Sequence, residues 1–144
     1  MAALSFSWQD GQEAPMGVRV VRLGTPRSRG EGLRLGTVRR PPRGVPKAEV
    51  AARDFYDVWL PRLAPSAELF GWLKAQPDLD CAWPAFAKRY RAEMKVPDAQ
   101  HLLAMLAAFS RHTDFAVGCY CENEARCHRS LLRGLLEAHG AVLR

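Results

Sequence analysis

Long apolar runs are missing from this chain of 144 residues, and so is the beginning typical of a secreted protein. The longest apolar run is far too short to cross a bilayer. The opening MAALSFSWQDGQEAPMG has neither the positive start nor the long hydrophobic stretch of a secretory signal. The expected location is therefore the cytoplasm, with no membrane partner. Cysteine is scarce, with four in all: Cys119, Cys121 and Cys127 crowd together while Cys81 stands apart. That is a poor disulfide framework, and cytosolic thiols stay reduced. Internal repeats are absent, and so are the motifs that mark nucleic-acid-binding modules.

What is present is ordinary for a globular protein, with 48% apolar and 25% charged residues. The length fits one domain. A chain of this size buries roughly two-thirds of its unfolded surface, so it needs no covalent staples. Residues 1–15 read as a flexible arm, and residues 16–144 as the domain. The net charge is +6, unevenly spread. The first fifty residues hold Arg19, Arg22, Arg27, Arg29, Arg34, Arg39, Arg40, Arg43 and Lys47 against Asp10, Glu13, Glu31 and Glu49. The planar fork of arginine suits phosphate and carboxylate, whereas a merely soluble surface does as well with lysine. A solvated basic face is the alternative.

GVRVVRLG, residues 17–24, predicts a strand from its β-branched residues. TPRSRGEG is a loop, and LRLGTV, residues 33–38, a second strand. Pro41, Pro42 and Pro46 make residues 39–47 irregular. Residues 48–60 place Val50, Phe55, Val58 and Trp59 at mixed helical spacing and are expected to be helical. In LAPSAELFGWLKAQ, Ser66 caps a helix that turns Leu69, Trp72 and Leu73 to one face. WPAFAKRYRAEM puts Pro84 in a first turn and Trp83, Phe86 and Tyr90 in a core stripe. PDAQHLLAMLAAFSRH starts at Asp98 and buries Leu102, Leu103, Leu106 and Phe109. DFAVGCY is a third strand. CHRSLLRGLLEAHG is a helix with Leu131, Leu132, Leu135 and Leu136 on its apolar face and Gly140 as its stop. The final AVL reads as a short edge strand. The expected fold is a single-domain α/β sandwich with a small, largely parallel sheet flanked by helices.

Ligands of such sheets bind beyond the carboxyl ends of the strands. Three loops there carry arginines: residues 22–29, 39–44 and 121–129. Parallel neighbouring strands would gather them into an anion site.

The stretch GCYCENEARCHRS, residues 118–130, supports three readings. Cys119, Cys121, Cys127 and His128 add up to a four-ligand metal set, but one spacer residue between cysteines and an adjacent Cys-His pair do not fit familiar zinc spacings. Cys119 and Cys121 on a strand would share a face, whereas neighbouring side chains diverge. Cys127 at a helix N-terminus, beside Arg126 and Arg129, suits a reactive thiol, with Cys121 across the loop and His128 as proton carrier. Cys119 also reads as a buried strand residue, and His128 as a capping or packing one. No cysteine stands at position 120 or 123, six residues before Arg126 or Arg129, as a cysteine-phosphatase signature built on those arginines would need. The third reading, an anion cradle of Arg39, Arg43, Arg126 and Arg129 at the helix N-terminus, needs the fewest special assumptions. Its ligand would be phosphate, sulfate or nucleotide-like. A non-catalytic nucleic-acid-binding module is a further alternative, because phosphate contacts supply most non-specific affinity. No cofactor or oligomeric state follows from these residues.

At GLRLGTVRRPPRG, DVWLPRLAPSAELFGWL, WPAFAKRYRAEM and GCYCENEARCHRSLL the chain resembles the domain of unknown function 488 family (YeaO-like). The likeness spans most of residues 18–136. Its most telling elements are Cys127-His128-Arg129, then Arg39, Pro42, Arg43 and Gly44, then Leu63 to Ser66. The resemblance implies a small cytoplasmic α/β protein and assigns no activity. Val38 stands where an aspartate is common, and Cys121 where an acidic residue is common. Acid–base roles for those carboxylates do not carry over, and the extra thiol points toward redox or metal chemistry.

Overall fold

Four short runs rich in Val, Leu and Phe form the sheet, and all of its strands are parallel. They are β1 (Val18–Arg22), β2 (Leu33–Gly36), β3 (Val58–Trp59) and β4 (Phe115–Cys119). The computed structural model describes residues 16–144, so the expected arm at 1–15 lies outside the described residues. The strand order is β1-β4-β2-β3. The α/β fold with a small sheet is the one the sequence predicts. The strand β4, late in the chain, lies between β1 and β2 and is buried at every residue. A central parallel strand has both faces covered, which is why FAVGC shows no polar alternation. The C-terminal AVL contributes a single bridge beside β1, with Val18 N donating to Val142 O at 2.8 Å and Arg144 N to Val18 O at 3.0 Å.

The expected helix at 48–60 does not form. A short helical turn at Lys47–Glu49 ends in a bend where Asp54 takes φ 64°. Val58 and Trp59 instead pair with Leu35 and Gly36. The Asp57 carboxylate accepts from Arg34 N at 2.8 Å, and this fixes the entry to the strand. Sheet pairing thus overrides a weak helical spacing.

Four helices complete the fold: α1 (Ala67–Lys74), α2 (Leu79–Glu93), α3 (Pro97–Ser110) and α4 (His128–Ala138). Ser66 caps α1 as expected, its Oγ accepting from Leu69 N at 3.1 Å. Helix α2 begins earlier than the sequence suggests, because the Asp78 carboxylate accepts from Asp80 N and Cys81 N. Pro84 therefore sits in the second turn and leaves the Asp80 carbonyl without its helical partner. Helix α3 starts at Pro97 with no side-chain cap, and Asp98 lies in its first turn, where a negative charge suits the dipole. Phe109 is 49% exposed, against expectation. Its neighbour Ser110 takes the inward position, donating to Ala107 O and accepting from Val142 N at 2.9 Å.

The main core gathers Leu69, Phe86, Tyr90, Leu103 and Leu132 between sheet and helices. Trp83, Phe86 and Tyr90 stack in series, with ring centroids 5.1 Å and 6.3 Å apart. Each fully buried large side chain contributes roughly 1.5–3 kcal/mol. A second, smaller cluster holds Leu23, Val38, Val50, Tyr56, Cys119 and Cys127. Because it contains the last residue of β4 and the residue before α4, the apolar packing sets the position of both cysteines.

Candidate functional site

Cys119 ends β4, and Cys121 lies two residues on. The two side chains share a face, with their Sγ atoms 3.8 Å apart. The chain then turns back through a short helical turn at Glu124–Arg126, where Asn123 Oδ1 accepts from Ala125 N at 3.0 Å. Cys127, extended at φ −125°, leads into α4. The sulfur atoms of Cys119, Cys121 and Cys127 lie within 4.8 Å of one another. Cys119 and Cys127 are buried and Cys121 is partly exposed.

The loop is tied down on several sides. Arg126 Nε donates to Asp80 Oδ1 at 2.8 Å, and its guanidinium lies 5.8 Å from the Trp83 ring centre. Arg133 Nη2 pairs with Glu124 at 3.0 Å. The Tyr120 hydroxyl donates to Arg40 O at 2.9 Å, which joins the loop after β4 to the loop after β2.

His128 does not join the sulfur atoms. Its Nε2 lies 2.7 Å from the Thr37 carbonyl, so Nε2 carries the hydrogen, while Nδ1 is 3.8 Å from Cys127 Sγ. The four-ligand set considered from sequence therefore gathers three members, because His128 Nδ1 approaches Cys127 but does not lie within 4.8 Å of all three sulfurs.

Arg129 is 3% exposed. Its Nη2 donates to Cys121 O at 2.6 Å, and its Nε is buried without a hydrogen-bond partner. Among the described residues no carboxylate pairs with it. A buried guanidinium needs compensating negative charge nearby, and the sulfur cluster is its neighbour. The Cys121 thiol is pulled well below the ordinary thiol range. Hydrogen bonds from Cys119 and Cys127 do most of this, and the charge of Arg129 adds to it against the opposing effect of burial. Cys119, as donor to Cys121 and Cys127, is pushed far up.

A cavity of about 540 Å³ opens beside the cluster, and all three cysteines and His128 line it. Phe70, Leu73 and Phe86 supply apolar wall, and Arg39, Arg40, Arg43, Lys74 and Arg126 supply positive charge. These cations differ in how free they are. Arg39 donates to the Pro65 and Ala64 carbonyls at 3.0 and 3.2 Å, and Arg126 is paired to Asp80. Among the described residues Arg43 and Lys74 have no carboxylate partner.

Two of the three expected loops meet here, and the first does not. Arg27 turns to Asp57 and Asp54, at 2.8 and 3.2 Å. Arg22 Nε donates to Tyr120 O at 3.1 Å, and no residue of 22–29 lines the cavity. Arg129 holds the Cys121 backbone rather than lining the space. Sequence reasoning missed Lys74, Phe70 and Thr37. Lys74 stands four residues after Phe70, on the same helix face, with its Nζ 5.2 Å from that ring centre. No local signal marks Thr37.

A family model described as DUF488-N3a, the active DUF488-N3 subclade, matches residues 18–140. The chain belongs to the DUF488 family. Its membership covers all four strands, all four helices and the cysteine loop. Searches of curated proteins and of solved structures find no match to this DUF488 chain. Among the described residues, no helix is long and apolar enough to cross a membrane.

Proposed function

We propose that this DUF488 protein binds a small anionic molecule, phosphate-, sulfate- or nucleotide-like, in the cavity beside α1 and presents it to the sulfur cluster. One observation carries the reading: a cavity of about 540 Å³ holds unpaired cations, apolar wall and three converging thiols together. Ligand pockets commonly occupy roughly 300–1,000 Å³, so there is room for an apolar or ring-bearing body as well as an anionic group. Arg43 and Lys74 would take the anion, with Phe70 and Leu73 against the rest of the molecule. Three free thiols this close suit a reducing compartment, which supports a cytoplasmic location.

The test is calorimetric titration with inorganic phosphate, sulfate and nucleoside monophosphates, repeated on Arg43→Ala/Lys74→Ala. A charge-assisted hydrogen bond contributes about 1.5–3 kcal/mol, so each deletion should weaken binding roughly 10- to 100-fold. Absence of binding across the panel, or an unaffected double variant, refutes the reading. Tight, steeply salt-dependent binding of an oligonucleotide in place of the small anions would favour a nucleic-acid module instead.

A further inference from the structure

We infer that Cys119, Cys121 and Cys127 form a three-thiolate zinc site whose fourth coordination position opens into the cavity. The geometry comes first. Zinc binds thiolate sulfur at roughly 2.3 Å in tetrahedral array, which places neighbouring ligand sulfurs about 3.8 Å apart. Cys119 and Cys121 Sγ stand 3.8 Å apart, and Cys127 Sγ lies within 4.8 Å of both.

The ligand count comes second. No histidine, aspartate or glutamate among the described residues joins the three sulfurs. His128, the nearest candidate, lies outside that mutually close group: its Nδ1 is 3.8 Å from Cys127 Sγ, and its Nε2 is bonded to the Thr37 carbonyl. Structural zinc sites are closed by four protein ligands, whereas catalytic ones have three and leave a position for water or substrate. All three cysteines line the cavity, so an open position would face the space where the anion is proposed to sit.

Charge comes third. Three thiolates and one dication sum to one negative charge, and their protons pass to solvent on binding. Arg129, buried, hydrogen-bonded to the Cys121 backbone and without a carboxylate partner among the described residues, supplies the opposite charge. Beside a zinc thiolate centre of net charge −1 the buried guanidinium is matched. The remaining cations of the cavity then draw an anion toward the metal's open position. That last step rests on the proposed function; the metal site does not.

The experiment uses the full chain, purified under reducing conditions and titrated with zinc against a competing chromophoric chelator, then with cobalt(II) as a spectroscopic substitute. One equivalent of zinc should bind. Cobalt should give intense sulfur-to-metal charge transfer with tetrahedral ligand-field bands, and X-ray absorption should count three sulfurs and one lighter atom. Cys121→Ser should weaken zinc binding by more than the roughly 10- to 100-fold that changes to outer-shell partners cost. Cys81→Ser and His128→Gln should retain the site. Adding inorganic phosphate should shift the cobalt spectrum. Failure to bind one equivalent, or undiminished binding by Cys121→Ser, overturns the site. Four sulfurs in the X-ray absorption overturns the open position, and a phosphate-insensitive cobalt spectrum overturns the step that draws an anion to it. Phosphate binding by the zinc-free chain would leave the proposed function standing even where the metal site fails.

Discussion

The imidazole of His128 donates from Nε2 to the Thr37 carbonyl across 2.7 Å, joining the first residue of α4 to the segment that follows β2. Thr37 in turn donates through both N and Oγ1 to Gly118 O, at 3.0 and 2.9 Å. Three elements therefore meet through one buried polar chain. Replacing His128 with alanine leaves the Thr37 carbonyl unpaired in the interior and should cost about 1–3 kcal/mol. Urea unfolding measures this, and His128→Gln, which keeps a donor, should lose less. Equal loss in both variants would count against the hydrogen bond as the cause.

A second prediction concerns acid. Glu31 is 2% exposed and pairs with Arg34, which is 1% exposed, at 2.5 Å. Burial alone would raise the Glu31 carboxyl, but the hydrogen bond from Arg34, assisted by Ser28 N, outweighs it and holds the group below its usual range. Asp57 is lowered in the same manner, with hydrogen bonds from Arg27 and Arg34 N prevailing over burial. Both carboxyls thus titrate lower in the folded chain than in the unfolded one. Their contribution is complete above the unfolded value of about 4 and is lost as pH falls through the folded values. Thermal melts should be flat near neutrality and drop below about pH 4. Glu31→Gln should lower stability at pH 7 by roughly 3–5 kcal/mol, because it leaves a buried cation unpaired, and should flatten the acid limb.

Gly118 faces Gly36 across the β2–β4 pairing. A Cβ on Gly118 would lie 2.6 Å from Leu23 Cδ2 and 2.8 Å from Val21 O. The side chain could shift, but the carbonyl belongs to β1. Gly118→Ala is therefore expected to cost about 1–3 kcal/mol through overpacking. It should also displace Cys119, so the same variant should bind zinc less tightly than the wild type. A stable Gly118→Ala with intact zinc binding would show that the sheet yields more easily than its spacing suggests.

Ser66 accepts from Leu69 N at 3.1 Å, while its own N donates to Glu93 at 2.8 Å and its hydroxyl to the same carboxylate. Ser66→Ala removes the cap of α1 and should destabilise the chain by about 1–2 kcal/mol. Helix α1 carries Phe70, Leu73 and Lys74 into the cavity wall. Ligand affinity should therefore fall in this variant even though Ser66 lies off the proposed anion path, and calorimetry on the same phosphate panel checks it.

Much of the fold follows from local pattern. The β-branched run GVRVVRLG marked β1, LRLGTV and DFAVGCY marked two further strands, and Ser66 and Gly140 marked helix ends. The segment 48–60 was misread because its structure is set by distant partners: Asp57 answers Arg34, and Val58 and Trp59 answer β2. Phe109 misled for a related reason, since the serine beside it pairs with the C-terminal segment and takes the inward position. At the site, the alternation of Cys119 and Cys121 was legible, whereas Cys127 and His128, expected to diverge, place Sγ and Nδ1 3.8 Å apart. The return of Cys127 to the other two sulfurs was not legible, because it depends on how residues 122–126 fold back over α2. The arginines of 22–29 looked like ligand groups until the carboxylates of Asp54 and Asp57, close in space, claimed Arg27.

The placement of β4 between β1 and β2 also bears on how the polypeptide acquires its shape. In the finished sheet β1 and β2 do not touch; each pairs with β4. A nascent chain that has emerged from the ribosome only as far as α3 holds strands with no central partner to zip against. Only β2 and β3 can pair before residues 115–119 appear, and pairing β1 to β4 across nearly a hundred positions is slow. The same stretch of chain delivers Cys119, so the sulfur cluster cannot assemble before the residues of the central strand have emerged.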